Sequence, residues 1–188
     1  MSLIYWWRGR WSTRSSKVRR RSLFAIAAPG EPGTDAHPGV WDAHPMWREM
    51  MTKIAAEVEF GAPADEAAVE AAENALGQTL PMELSDLLRE CNGVRGPDGL
   101  DVIWSAERIA QDNTALRSAD DLAQLYMPFQ PLVFFGDNGG GDQFAFVRSP
   151  QRDEIFVWDH ETDSRYLVAY RLDQYIERAL RATEDWYR

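Results

Sequence analysis

The sequence predicts an α+β fold: a mostly antiparallel sheet of about four to six strands, flanked by N-terminal helices and closed by a C-terminal helix. Three observations lead there. Apolar residues recur at helical spacing between Trp47 and Cys91. Short Val- and Phe-rich runs separated by turn residues then fill the region from Leu132 to Ala169. Last, Leu172, Tyr175, Ile176 and Leu180 return to a helical stripe. The links between the strand-length runs are short, which favours antiparallel neighbours.

Residues 1–45 read as a basic leader, or as sequence ahead of a start called too early. Trp6, Trp7, Trp11 and Trp41 are scattered without period, and Pro29 to Pro45 has linker composition. Arg20-Arg21-Ser22-Leu23-Phe24 resembles a twin-arginine signal, but the apolar segment after it is too short for an export signal. The ordered domain is expected over 46–188.

In that domain Trp47, Met50, Met51, Ile54 and Val58 suggest one amphipathic helix, broken by Gly61 and Pro63. Asp65 is placed to cap a second helix that runs to Leu76, with Gly77 just past its end. Leu80-Pro81 opens a third helix; Leu84, Leu87, Leu88 and Cys91 lie on its buried stripe, and Asn92-Gly93 is the expected left-handed stop. Leu100 to Trp104 alternates like a strand, and Ser105 can cap a helix to about Leu116. A short helical turn is expected around Leu122 and Leu125.

The stretch the chain is organised around is residues 132–147, LVFFGDNGGGDQFAFV. Two apolar runs flank Gly136-Asp137-Asn138-Gly139-Gly140-Gly141-Asp142, which is turn chemistry and reads as the tip of a hairpin in the middle of the sheet. Arg148 to Glu154 reads as a polar loop, Ile155 to Trp158 and Tyr166 to Ala169 as strands, and Asp159 to Ser164 as a turn.

Charge separates the two parts. Residues 1–45 hold seven basic and three acidic side chains, a net of +4, which leaves −14 on residues 46–188 of a chain whose total is −10. An acidic body does not bind nucleic acid through its general field, and it hastens the arrival of basic partners. No apolar run approaches the ~18 residues of a membrane span. With the single cysteine, Cys91, there is no internal disulfide framework and no cysteine-based zinc site, and a residue on a buried helix stripe is a small hydrophobe before it is a nucleophile.

The motifs that carry chemistry fail on their own terms. The tip glycines lack the Lys-Ser/Thr and the following helix of a phosphate loop. Asp137, Asn138 and Asp142 are hard oxygen donors, but they are not in calcium-loop spacing, so no metal and no cofactor is assigned. Asp159-His160-Glu161 offers an imidazole between two acids; a small hydrolase built on His160 and Asp159 needs a pocket that sequence does not supply. No catalytic residue is assigned.

Several segments taken in order resemble the SUKH superfamily, that of the fungal cell-wall regulator Smi/Knr. They are Leu76-Gly77-Gln78-Thr79-Leu80-Pro81 followed by Asn92-Gly93; Trp104-Ser105 with Glu107; Phe134 to Asp137 with Gly140 to Ala145; Val157 to Glu161; and Ala169-Tyr170 with Leu172, Tyr175 and Ile176, where Arg171-Leu172 departs from the usual Ser-Phe. The resemblance covers about residues 55–182. It implies a non-enzymatic binding protein. Many bacterial members act as cytoplasmic immunity proteins that block a cognate polymorphic toxin, often a nuclease, and the expected partner is then a basic toxin domain. A regulatory scaffold of the same fold is the alternative it leaves open. The candidate contact residues are Asp137, Asn138, Asp142, Asp159 and Glu161, with Asn92, Gly93, Gly136, Gly140 and Gly141 as structural turns. A turn glycine with positive φ would make Gly140→Val destabilising.

Overall fold

The computed structural model describes residues 47–182 and 186–188, so residues 1–45, expected to be a basic leader or a mis-called start, lie outside the described residues. Among the described residues are six helices and two antiparallel sheets, an α+β fold. The helices are α1 (Trp47–Ile54), α2 (Glu66–Leu76), α3 (Met82–Glu90), α4 (Ala106–Ser118), the single turn α5 (Asp120–Ala123) and α6 (Leu172–Arg181). A three-stranded sheet is formed by β1 (Glu59–Phe60), β2 (Val94–Arg95) and β3 (Asp101–Ile103), and a four-stranded meander by β4 (Leu132–Asp137), β5 (Gln143–Arg148), β6 (Gln151–Asp159) and β7 (Ser164–Ala169).

The local signals act as their chemistry dictates. Asp65 accepts a hydrogen bond from Ala68 N–H at 2.8 Å and caps α2, a bond of the kind worth about 1 kcal/mol. Gly77 closes α2 at φ 64°. Ser105 caps α4 by accepting from Arg108 N–H. The helix from Trp47 ends at Ile54, not at Val58, because the chain turns there to pair Glu59 and Phe60 with Arg95 and Val94. Helix α3 stops at Glu90, with Cys91 extended. Of Asn92-Gly93, only Gly93 is left-handed, at φ 105°. Asn92 works through its side chain instead: Oδ1 accepts from Ala106 N–H at 2.7 Å and Nδ2 donates to Glu107, so it ties the end of α3 to the start of α4. The expected polar loop 148–154 is mostly strand, since β6 begins at Gln151.

The hairpin β4–β5 is not in the middle of its sheet. The order is β4-β5-β6-β7, so β4 is an edge. Its outward backbone groups are satisfied by side chains of α4. Asn113, fully buried, accepts from Phe134 N–H at 2.9 Å and donates Nδ2 to Phe134 C=O at 2.8 Å; Arg117, one turn on, donates to Leu132 C=O at 2.6 Å. An i, i+4 pair on one helix face thus covers an edge that would otherwise offer unpaired donors and acceptors. Further along, Trp104 N–H donates to Phe135 C=O at 2.7 Å and bridges the two sheets.

Both faces of the meander are covered, which accounts for the unbroken apolar run from Leu132 to Phe135. Successive residues of a strand point to opposite faces. Phe135 and Phe144 pack on the buried Tyr175 of α6, with Phe146 against Phe135, while Phe134 joins Phe129, Tyr126 and Trp158 on the other side.

Candidate functional site

The hairpin tip, the turn after β6 and residues 186–188 meet at one end of the four-stranded sheet. The turn chemistry of the sequence is visible in the bonds. Asn138 Oδ1 accepts from Gly140 N–H at 2.9 Å and Asp142 N–H at 3.0 Å, and Asn138 N–H donates to Asp142 C=O at 3.2 Å. Gly139 and Gly141 are left-handed, at φ 70° and 115°, and Gly140 is not. Gly140 is therefore the wrong glycine on which to test the tip through backbone strain. At Gly141 a Cβ would also meet the His160 ring at 2.8 Å.

Asp137 is engaged on both oxygens. Oδ1 accepts from Gly139 N–H at 2.7 Å, and Oδ2 accepts from Trp104 Nε1–H and Arg108 Nη2–H, each at 2.7 Å. Arg108 stacks on the Trp104 ring, 4.3 Å from its centroid, and also pairs with Asp101 and Asp112. Three carboxylates around one guanidinium fix the start of α4 to the tip and leave an excess of negative charge there.

Asp142 is fully buried, with Tyr187 and Arg188 docked on it, so no partner meets it while they stay in place. Its Oδ1 accepts from His160 N–H at 3.2 Å and lies 2.7 Å from His160 Nδ1; its Oδ2 accepts from Tyr187 O–H at 3.1 Å and Arg188 Nη2–H at 2.8 Å. Burial, the largest influence, pushes the Asp142 carboxyl up. Hydrogen bonds from Arg188, His160 and Tyr187 act together against it and hold the group below its ordinary 3.8. The acid partner of His160 is thus Asp142 and not the adjacent Asp159, on which a hydrolytic pair would have been built.

Asp159 is half-buried and folds its own turn, with Oδ1 accepting from Glu161 N–H at 2.9 Å and Thr162 N–H at 3.1 Å, and Glu161 is exposed. Asp142, Asp159 and His160 bring one potential ligand atom each within 4.8 Å of one another. The donor set does not suit a metal ion, because both Asp142 oxygens already accept hydrogen bonds and the cation opposite them is the Arg188 guanidinium. Cys91 is fully buried, and burial pushes its thiol up to about 12, which keeps it protonated and unreactive.

Sequence reasoning brought Asp137, Asn138 and Asp142 together correctly as one tip. It missed Arg108, Tyr187 and Arg188, the groups that donate to the tip carboxylates. The signal for the last two was present as Trp186-Tyr187-Arg188, an aromatic-basic cluster beyond the final helix stripe.

The fold and the site define an α+β domain whose polar cluster fastens loops to one another. The SMI1 / KNR4 family (SUKH-1) matches residues 63–178, and the chain belongs to that family. No curated protein matches the sequence. Among the described residues no helix is long and apolar enough to cross a membrane.

Proposed function

We propose that the chain is a cytoplasmic, non-enzymatic immunity protein that binds a cognate toxin domain and neutralises it by steric and electrostatic blocking. The observation that carries the proposal is the SUKH-1 domain over residues 63–178. The net charge of −14 on residues 46–188 supports a basic partner, such as a nuclease whose own site attracts phosphates. Of the candidate contacts, Glu161 is exposed at the turn after β6, and the half-buried Asp159 shapes that turn. Asp137, Asn138 and Asp142 shape the tip behind them.

The test is co-expression with a candidate toxin, sought first in the adjacent gene. Growth is expected to be restored, with a stoichiometric complex recovered from the rescued cells. Absence of both rescue and complex overturns the proposal. In the same assay Glu161→Lys is expected to slow complex formation by about tenfold at low salt and to leave the melting temperature unchanged, as loss of a rim charge does.

A further inference from the structure

The Asp142 carboxylate is divided between two parts of the molecule. Both bonds to Oδ1 come from His160, within the family domain. Both bonds to Oδ2 come from Tyr187 and Arg188, which lie beyond the matched residues 63–178. Residues 186–188 are a strap over the tip. Trp186 stacks on Phe144 at 11° with centroids 5.6 Å apart, Tyr187 meets the same ring edge-on at 5.2 Å, and Asn138 Nδ2 donates to the Tyr187 hydroxyl. Beside the strap a cavity of about 460 Å³ is lined by Leu100, Phe144, Tyr175, Trp186, Asp137 and Asn138, among others.

Without the strap, Oδ2 keeps its position, because His160 still holds Oδ1 and Asn138 still holds the tip backbone. It would then be an oriented carboxylate oxygen beside an aromatic shelf made by Phe144. A guanidinium is the natural complement, since it donates in a plane and stacks its apolar face on an aromatic ring. The chain itself supplies one such ligand: Arg188 donates to Oδ2 and lies over the Tyr187 ring, while Trp186 takes the Phe144 shelf.

We propose that Asp142, Asn138, Phe144 and His160 form an arginine-receptor site that residues 186–188 occupy in cis, and that an arginine presented beside an aromatic side chain by the partner takes the site by displacing the strap. The occupant rests on the reading of this chain as a partner-binding protein; the cis contact does not. A tethered segment competes at millimolar effective concentration, so the strap lowers the apparent affinity of any ligand for Asp142 in proportion to the time it is docked.

The test uses the full chain and a dye-labelled peptide with the sequence of residues 184–188, followed by fluorescence polarisation. The variant Tyr187→Ala with Arg188→Glu, checked for a wild-type melting transition, is expected to bind the peptide at least about tenfold tighter than the unmodified chain. Adding Asp142→Asn is expected to abolish that binding, as is replacing the peptide's arginine by glutamate. Equal binding by the unmodified and strap-disabled chains, no binding by either, or binding indifferent to Asp142 overturns the proposal. Should the double variant fail to fold, Arg188→Ala carries the same comparison, with about a threefold gain expected and no gain overturning it. Toxin rescue without peptide capture rejects the receptor site and leaves the immunity function standing; peptide capture without rescue does the reverse.

Discussion

Gly136 and Gly140 lie four residues apart in the same glycine-rich segment, and the structure assigns them opposite sensitivities. A Cβ at Gly136 would fall 2.3 Å from the Val102 carbonyl oxygen and 3.0 Å from the Tyr175 hydroxyl. Ordinary contact begins about 1 Å farther out, so β4 must move away from β3. That movement loosens two buried bonds: Tyr175 O–H to Val102 C=O, at 3.0 Å, and Trp104 N–H to Phe135 C=O, at 2.7 Å. A buried hydrogen bond left unmade costs about 1–3 kcal/mol, and the reduced freedom of the unfolded alanine chain returns about 0.4–1 kcal/mol. Gly136→Ala is therefore expected to destabilise the domain by about 2–4 kcal/mol. With a urea slope of about 2 kcal/mol/M, the midpoint falls by about 1–2 M. Gly140→Ala meets the Asn138 amide at 3.3 Å, in a backbone region open to any residue, and is expected to stay within about 0.5 kcal/mol of the unmodified chain. Urea titrations of both variants give the comparison. Equal midpoints for the two would refute the close approach of β4 to β3 as the reason for Gly136.

Two further expectations follow from the buried ionisable groups. The Asp142 carboxyl is held below its ordinary value in the folded chain, so the unfolded chain binds more protons in the acid range and stability rises with pH there. The contribution is fully present above the ordinary value of 3.8 and is lost as pH falls through the folded value. Melting temperatures of Asp142→Asn and the unmodified chain are expected to converge as the pH falls into the acid range; a gap that stays constant would contradict the assignment. Cys91, pushed up to about 12 by burial, is expected to resist a thiol-exchange reagent at neutral pH and to react once urea unfolds the chain; rapid labelling of the folded chain would show that α3 opens.

The family domain and its local punctuation were legible because the interactions that fix them are short in sequence. Asp65 with Ala68, Ser105 with Arg108, and Asn138 with Gly140 are bonds between residues two or three apart, and their signatures are residue types at fixed offsets. The stripe of Leu172, Tyr175, Ile176 and Leu180 is likewise written in one helix. Strands β1 and β2 were not legible. Each is two residues long, too short for a period, and each exists because Glu59 meets Arg95 across 36 positions of sequence.

The sequence by itself determined the α+β class, the order of the main helices and strands, and the position of the hairpin tip, since periodicity and turn chemistry are properties of neighbouring residues. Only the tertiary structure decided that β4 is an edge covered by Asn113 and Arg117, that Gly136 is pressed against Val102, and that Asp142 is buried. An aspartate in a glycine-rich turn belongs at the surface by every local measure. Asp142 is inside because His160, Tyr187 and Arg188, 18 to 46 residues away, converge on its two oxygens and offset the cost of taking a carboxylate out of water.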